Sequence, residues 1–468
     1  MFTIAEIARA TGGEIIGSAE SVVTGVSTDS RTVAAGELFI PLRGERFDGH
    51  DYIGTALARG ARVFVAAREW TESNPIPEGV TCIAAADTLR ALGDLAAFHR
   101  TRFFLPVVGV TGSNGKTTTK EMLAAILGET GPGLKTAGNL NNLIGLPQML
   151  FRLTSAHRWA VLEMGMSEPG EIDRLAEIAR PEVGVITNAF PAHLESMGSV
   201  VAVARAKGEL FQRLYPGGWA VYNADDALIG ALPSPAGVKR LGFGLHGAEV
   251  SAIGVVGEGR RGMSFTLRTP TGEVPVTMRA FGLHNVANAL AAAAAATALG
   301  IDPRTIGAGL AAFVPYDKRF NLEELDGVVL VDDSYNANPA SMAAALRTVA
   351  ELKEECRAVA VLGDMLELGP GTVEAHREIG RLAAACVGRL YLLGEMAQSV
   401  AAGAVEGGMT AAEIVLAKNH GEIVADLENC LGNGEYVLVK GSRGMRMEIV
   451  AEGVRRAYAP HRAKGAVA

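Results

Sequence analysis

At 468 residues the chain exceeds one ordinary core and is expected to form about three domains. Hydrophobic residues make up 49%, charged residues 20%, and the net charge is −8, a balance that supports large cores and argues against a general nucleic-acid binder. No run of 18 apolar residues lacks charges or turns, so no membrane span is expected, and the scattered Cys82, Cys356, Cys386 and Cys430 read as reduced core residues in a cytosol.

The N-terminal "MFTIAEIARATGGEI" lacks the basic start and apolar block of a signal peptide, consistent with a cytoplasmic protein. Thr3 and Glu6 instead have the spacing of a helix capping box. In residues 1–102, short strands such as "ELFIPL" (37–42) and "ARVFVAA" (61–67) alternate with brief helices. "TESNPIPEGV" reads as a loop, and a helix at 87–101 leads out of the block.

Residues 103–315 show clear βα alternation. "PVVGVTG" is a buried strand followed by a helix from Lys116. "WAVLEMG" (159–165) and "VGVITN" (183–188) are further apolar strands. The pattern predicts a mostly parallel sheet with helices on both faces. "MSFTLRTPTGEVPVTMRA" (263–280) looks like an antiparallel hairpin at an edge, and "NALAAAAAATALG" (288–300) like a tightly packed helix. In residues 316–468, the strands "GVVLVDD", "RAVAVLG", "RLYLLG" and "EYVLVKG" predict a second parallel sheet. No G-x-G-x-x-G follows its first strand. The expected fold is therefore α/β in three domains: a small α/β N-terminal domain, a central P-loop domain with a mostly parallel sheet, and a Rossmann-like C-terminal domain.

"PVVGVTGSNGKTTTKEML" (106–123) resembles a phosphate loop on a shifted frame. The spacing G-x-x-x-x-G-K-S/T requires a glycine at 110, where the chain has Val110; the glycines are Gly109, Gly112 and Gly115. The context still suits phosphate, because a buried strand runs into glycines and Lys116-Thr117-Thr118 opens a helix whose N–H groups face an anion. Lys116 is placed to neutralise β- and γ-phosphates, and the Thr117 hydroxyl to bind Mg²⁺. Glu163, at the tip of an apolar strand, suits the second Mg²⁺-holding role, although such an acid can also be a solvated strand end. His193 follows the next strand and is placed at the same sheet edge; a lone histidine there is equally a structural residue.

Lys207 lies mid-stripe among Val200, Val203, Ala204, Leu210, Phe211 and Leu214 on a helix over 200–215. Such a lysine either snorkels to solvent or is held near the core with a partner, a depressed pKa or a modification. A neutral amine can react with CO₂ to give an anionic carbamate. "TAGNLNNLIGLPQ" (136–148) and "VDDSYNANPASM" (331–342) are Asn-rich turns or ligand-binding stretches, and spacing alone leaves both readings open.

Taken together, these stretches resemble the Mur ligase family over essentially the whole chain. The family's own loop is G-S/T-N-G-K-T, which accounts for the shifted glycine. "GNLNNLIGLP", "LEMG", "AHLE", "AKGEL" and "GLHNVANALAAAA" follow in family order. "DDSYNANPASM", "VLGDMLELG" with His376, and "VLVKGSRGMRME" are similar to the branch that adds a dipeptide. Phe190-Pro191 stand where the family usually has a glycine shortly before Ala-His.

The resemblance implies an ATP-dependent ligase with Mg²⁺, two ions being expected. Its substrates would be UDP-N-acetylmuramoyl-tripeptide and D-alanyl-D-alanine, with no nucleic acid or membrane partner and a monomeric chain. The first block would hold the uridine end through "STDSR" and "FDGH" (Ser30, Arg31, Asp48, His50), with Asn141 and Asn142 also on the substrate. Gly112, Ser113, Asn114, Gly115, Lys116, Thr117 and Thr118 would cradle the phosphates. By the same resemblance, Asn285 contacts the adenine region, Asp333 the ribose and Arg319 the γ-phosphate, while Asn336 assists at the nucleotide. Thr117, Glu163, His193 and a carbamylated Lys207 position the ions, and Ser442 and Arg443 lie near the incoming dipeptide. Lys116, Lys207 and Arg319 are the implied catalytic set. A folate polyglutamate ligase shares the loop but should lack "DDSYNANP" and "VKGSR"; a P-loop ATPase would hydrolyse ATP without an amine acceptor.

Overall fold

The computed structural model describes residues 1–191 and 197–459. Among these, three main sheets follow one another along the chain. The first has the order Glu14–Ile16, Thr81–Ala85, Val63–Ala67, Glu37–Phe39 and Gly25–Ser27. Only its Glu14–Ile16 edge is antiparallel. Thr3 and Glu6 form the expected capping box on the helix Ile4–Thr11. The "TESNPIPEGV" loop starts later than expected, because Thr71 to Ser73 complete the helix Arg68–Ser73.

The exit helix Thr88–Arg100 is capped by Asp87 and packs against the helices Gly145–Leu150 and Glu171–Ala179 of the next sheet. Arg174 crosses this junction with a 2.6 Å hydrogen bond to the Asp94 carboxylate. Gln148 Nε2 donates to Thr28 Oγ1 at 2.9 Å, which seats the "STDSR" stretch beside the helix following Asn142.

The second sheet is wholly parallel, in the order Lys239–Phe243, Trp219–Asn223, Val183–Ile186, Val107–Thr111, Ala160–Glu163 and Leu134–Lys135. Its central strands are apolar without alternation because both faces are covered: Val108 and Val110 enter one core, Val107, Ala160 and Leu162 the other. The helix Leu283–Ala298 lies on one face with Ala289 to Ala296 fully buried, and their small side chains let it approach the helix Lys116–Gly128 closely. The hairpin Met263–Thr269 and Gly272–Met278 is antiparallel as expected, but it is no edge of this sheet. With Ser251–Gly257 it makes a separate sheet, joined to the parallel one by the single bridge Phe243–Val250. Its alternating buried face turns toward the alanine-rich helix, which requires a layer of its own.

The third sheet runs Asn321–Glu324, Val328–Asp333, Glu435–Lys440, Ala358–Gly363, Arg389–Leu393 and Ile414–Ala417. It is parallel except for the Asn321–Glu324 edge, an antiparallel strand that the sequence pattern does not reveal. All four cysteines are free and Cys82 and Cys386 are buried, as expected, but Cys430 is only half-buried and Cys356 is exposed after the charged end of a helix. No helix among the described residues is long and apolar enough to cross a membrane.

Candidate active site

The carboxyl ends of the second and third sheets meet across a cleft of about 460 Å³, lined by Ser113 to Thr118, Asn285, Arg319, Asp333 and Asn336 among others. That size suits a nucleotide-scale ligand, and the location is the usual one for ligands of open parallel sheets. Two glycines shape the loop. Gly112 (φ +150°) and Gly115 (φ +79°) take backbone conformations that disfavour side chains. An added Cβ would lie 1.9 Å from Thr187 Oγ1 at Gly112, and 2.1 Å from Asn288 Oδ1 at Gly115. The loop is clamped from the neighbouring strand end, where Thr187 Oγ1 donates to the Asn114 carbonyl (2.6 Å) and Asn188 Oδ1 accepts from Asn114 N–H (2.8 Å).

Lys116 Nζ donates to the Gly112 carbonyl at 2.8 Å and to that of Ser113 at 3.3 Å, so the ammonium sits over its own loop. Burial pushes its pKa down, against the opposing pull of Glu163. Glu163 is 3% exposed, accepts from Thr117 Oγ1 at 2.9 Å and from Asn141 Nδ2 at 2.8 Å. The fully buried Lys120 stands 3.8 Å from Glu163 and donates to the Thr136 carbonyl at 2.7 Å. A hydroxyl and a carboxylate side by side are hard oxygen donors of the kind Mg²⁺ takes. Asn142 is used locally: its Oδ1 accepts from the N–H groups of Ile144 (3.2 Å) and Gly145 (2.8 Å).

Lys207 does not snorkel. On the helix Val200–Gln212 it is 3% exposed, flanked by buried Val203, Ala204, Leu210 and Phe211, and its ammonium hydrogen-bonds to no described residue. Desolvation, with the Lys116 charge adding to it, drives its pKa well below the ordinary lysine value. His193 lies outside the described residues.

From the third sheet, Arg319 reaches Thr117 Oγ1 through Nη2 at 3.4 Å. Asp333 Oδ2 accepts from Lys440 Nζ at 2.6 Å, and Oδ1 accepts from Phe320 N–H at 3.1 Å. Lys440, 2% exposed, also donates to the Asn336 carbonyl at 3.0 Å. Asn114 and Asn338 exchange side-chain amide bonds of 3.1 and 2.7 Å across the cleft. Asn285 donates to the Phe281 carbonyl (2.9 Å) and accepts from Asn288 (3.0 Å). His284, in the same wall, is desolvated to a pKa of about 4 and so is neutral at pH 7.

Ser442 is a bridge between loops: its Oγ accepts from Leu366 N–H at 2.9 Å and donates to the Ala337 carbonyl at 3.2 Å. This gives "VLGDMLELG" a structural task. His376 Nδ1–H donates to the Thr372 carbonyl (2.7 Å), which leaves Nε2 to accept from Met365 N–H (2.9 Å) and fixes that loop against Ser442. Arg443 is exposed, with its guanidinium 3.1 Å from Glu448.

The first-block residues do not line the cleft. Ser30 is buried, and Arg31 is exposed and pairs with Asp29 at 2.8 Å. His50 Nε2 accepts from Ala67 N–H (3.0 Å), so Nδ1 carries the proton toward Asp48 (2.6 Å). Burial works against the Asp48 charge, but the His50 backbone and ring and Arg43 hold its pKa down to about 2.

Lys120, Lys440, Asn288, Asn338 and Thr187 are site residues that the sequence reading passes over. Lys440 carried the same signal as Glu163, an ionic residue closing an apolar strand. Replacing Lys440 with Met should leave the partly buried Asp333 carboxylate with only the Phe320 N–H bond and cost about 2–3 kcal/mol by chemical denaturation. Adding Asp333→Asn should recover part of that loss; a single variant as stable as the wild type would show that the pair contributes nothing.

Three family models match: "Mur ligase family, catalytic domain" over 22–100, "Mur ligase middle domain" over 110–296, and "Mur ligase, glutamate ligase domain" over 318–443. The UDP-N-acetylmuramoyl-tripeptide–D-alanyl-D-alanine ligase of Escherichia coli (strain K12) is 37% identical over 462 residues, covering 97% of this chain and 98% of its own. The chain belongs to the Mur ligase family. Among solved structures, this Mur ligase is similar to MurF from Acinetobacter baumannii, with TM-score 0.87, 32% identity, and coverage of 97% of this chain and 99% of that one. It is also similar to MurF ligase from Thermotoga maritima in complex with ADP, with TM-score 0.82, 29% identity, and coverage of 92% and 97%.

Proposed function

We propose that this Mur ligase joins D-alanyl-D-alanine to UDP-N-acetylmuramoyl-tripeptide, converting ATP to ADP and phosphate and forming the UDP-MurNAc-pentapeptide of peptidoglycan synthesis. The observation that carries the reading is the shared cleft: a phosphate loop on one sheet faces an arginine, an aspartate and an amide-rich loop on another.

A carboxylate does not condense with an amine at neutral pH, because its oxygen is a poor leaving group. The tripeptide carboxylate oxygen attacks the γ-phosphorus, the bond to the β-phosphate oxygen breaks, and ADP leaves. The dipeptide amine then attacks the acyl carbon, the carbon–oxygen bond to phosphate breaks, and the amine loses a proton. Two anions must first be brought together, so alignment and charge neutralisation are the main demands. Lys116 and the helix N-terminus take the β- and γ-phosphates, Arg319 the γ-phosphate from the opposite wall, and Asp333 the ribose. Mg²⁺, held by Thr117, Glu163 and, by family resemblance, His193 and a Lys207 carbamate, supplies further charge neutralisation. The Ser30–Arg31 and Asp48–His50 pairs belong to the uridine end, and Ser442 and Arg443 to the dipeptide side. Domain boundaries near 102 and 315, a monomeric state and a cytoplasmic location complete the reading.

Phosphate release by the purified chain with ATP and Mg²⁺ is the decisive test. It should require both the UDP-tripeptide and D-alanyl-D-alanine, with a product heavier than the nucleotide substrate by one condensed dipeptide. Steady ATP hydrolysis without the amine acceptor would instead make the protein an ATPase.

A further inference from the structure

Arg319 sits in a segment built under strain. Its two neighbours, Lys318 (φ +60°) and Phe320 (φ +50°), are non-glycine residues in the left-handed region. Two hydrogen bonds from the Asp333–Tyr335 turn hold that shape: Tyr335 N–H donates to the Lys318 carbonyl at 3.2 Å, and Phe320 N–H donates to Asp333 at 3.1 Å. Strain retained beside a cleft implies that the position of the intervening side chain matters.

Conventional partners do not fix the Arg319 guanidinium. Its Nε is buried without a hydrogen-bond partner, no described carboxylate pairs with it, and its bond to Thr117 is long at 3.4 Å. What lies against it is the ring of Tyr335, whose centroid is 3.9 Å from Arg319 Cζ. The same ring has Arg443 Cζ at 5.7 Å. Two cations therefore share one aromatic ring, one on the phosphate side of the cleft and one on the loop that follows Lys440. The phenol oxygen of Tyr335 hydrogen-bonds to no described residue, which leaves the ring as the operative group.

We propose that Tyr335 is a positioning residue whose ring aligns Arg319 toward the terminal phosphate of a nucleoside triphosphate and ties it to Arg443 on the acceptor side. The inference rests on the ligase reading for the acceptor side and for the pairing of Arg319 with the terminal phosphate; the contact of Tyr335 with both guanidinium groups is geometry. A ring face attracts a guanidinium without neutralising it, so the charge stays available to an anion. A carboxylate in the same place would hold Arg319 as firmly but would compete with phosphate for it.

Calorimetric binding of a non-hydrolysable ATP analogue and of ADP tests the proposal without requiring turnover. Tyr335→Phe should bind both like wild type. Tyr335→Leu should weaken the triphosphate analogue by about fivefold to tenfold while changing ADP by less than twofold. Phenylalanines of increasing ring fluorination at position 335 keep the shape and drain the ring face, so triphosphate affinity should fall stepwise; they also serve if the leucine variant does not fold. In the ligase assay, Tyr335→Leu should additionally raise the KM for D-alanyl-D-alanine. Equal weakening of both nucleotides, no effect of fluorination, or a Tyr335→Phe variant as impaired as Tyr335→Leu would overturn the proposal. The nucleotide pattern across the Tyr335 variants, together with a wild-type protein that forms no peptide bond, would refute the ligase reading and leave the ring's hold on triphosphate binding standing.

Discussion

Lys207→Ala should lower ligase turnover by about 100-fold or more, and excess bicarbonate should restore part of it. The side chain is 3% exposed in an apolar stripe, and its pKa is driven well below the ordinary lysine value, first by desolvation and then by Lys116. Both causes favour the uncharged amine over the ammonium. A free amine attacks CO₂, a nitrogen–carbon bond forms, a proton is lost, and the site gains an anion. The change suits this setting because the Lys116 charge attracts the anion it creates, where it would repel an ammonium. Alanine removes the attachment point and leaves a space in which a small anion can stand in. Wild-type enzyme stripped of CO₂ should lose activity and regain it when CO₂ returns. An alanine variant with full activity would refute the carbamate. An inactive variant without rescue, alongside a wild type indifferent to CO₂, would make Lys207 an amine in its function.

Lys116→Met should reduce kcat/KM for ATP by about 1,000-fold with little change in melting temperature. The side chain is half-buried and, among the described residues, bonds to the carbonyls of Gly112 and Ser113, so methionine removes a charge without opening a core. The cradle stays intact, because Thr187, Asn188 and Asn288 shape it independently. The two lysines should also be coupled. Removing Lys116 takes away one of the causes depressing the Lys207 pKa, so less Lys207 is neutral and less becomes carbamate. The double variant should therefore lose less than the product of the single losses, which a double-mutant cycle on kcat/KM reads directly. A Lys116→Met enzyme within tenfold of wild type would show that this loop does not carry the phosphate chemistry.

Much of this was legible in the residues. Parallel strands covered on both faces read as apolar runs, so Val107–Thr111, Ala160–Glu163 and Val328–Asp333 stood out. Asn321–Glu324 did not: an edge strand of sequence "NLEE" pairs through its backbone and has no apolar signature. The hairpin after residue 262 could be recognised as a hairpin, but which sheet it joins is settled by packing on the alanine-rich helix. At the site, Glu163 and Lys207 announce themselves as ionic residues inside apolar patterns. Arg319, Asp333 and Asn336 needed the family resemblance. Asn114 and Asn338 touch across 224 residues of chain, and no local pattern encodes such a pair.

That amide pair bears on how fast the enzyme can let go. Asn114 and Asn338 join opposite walls through two neutral hydrogen bonds. Each is worth about 1 kcal/mol net, so together they bias closure by only about 30-fold. By itself a fastening of that strength does not prevent opening between catalytic cycles; Arg319 with Thr117, and Arg260 with Glu324 and Tyr436, add to it. Being uncharged, it also keeps its grip at ionic strengths that loosen the phosphate contacts and the exposed Arg260–Glu324 pair, so added salt should weaken nucleotide capture before it parts Asn114 from Asn338.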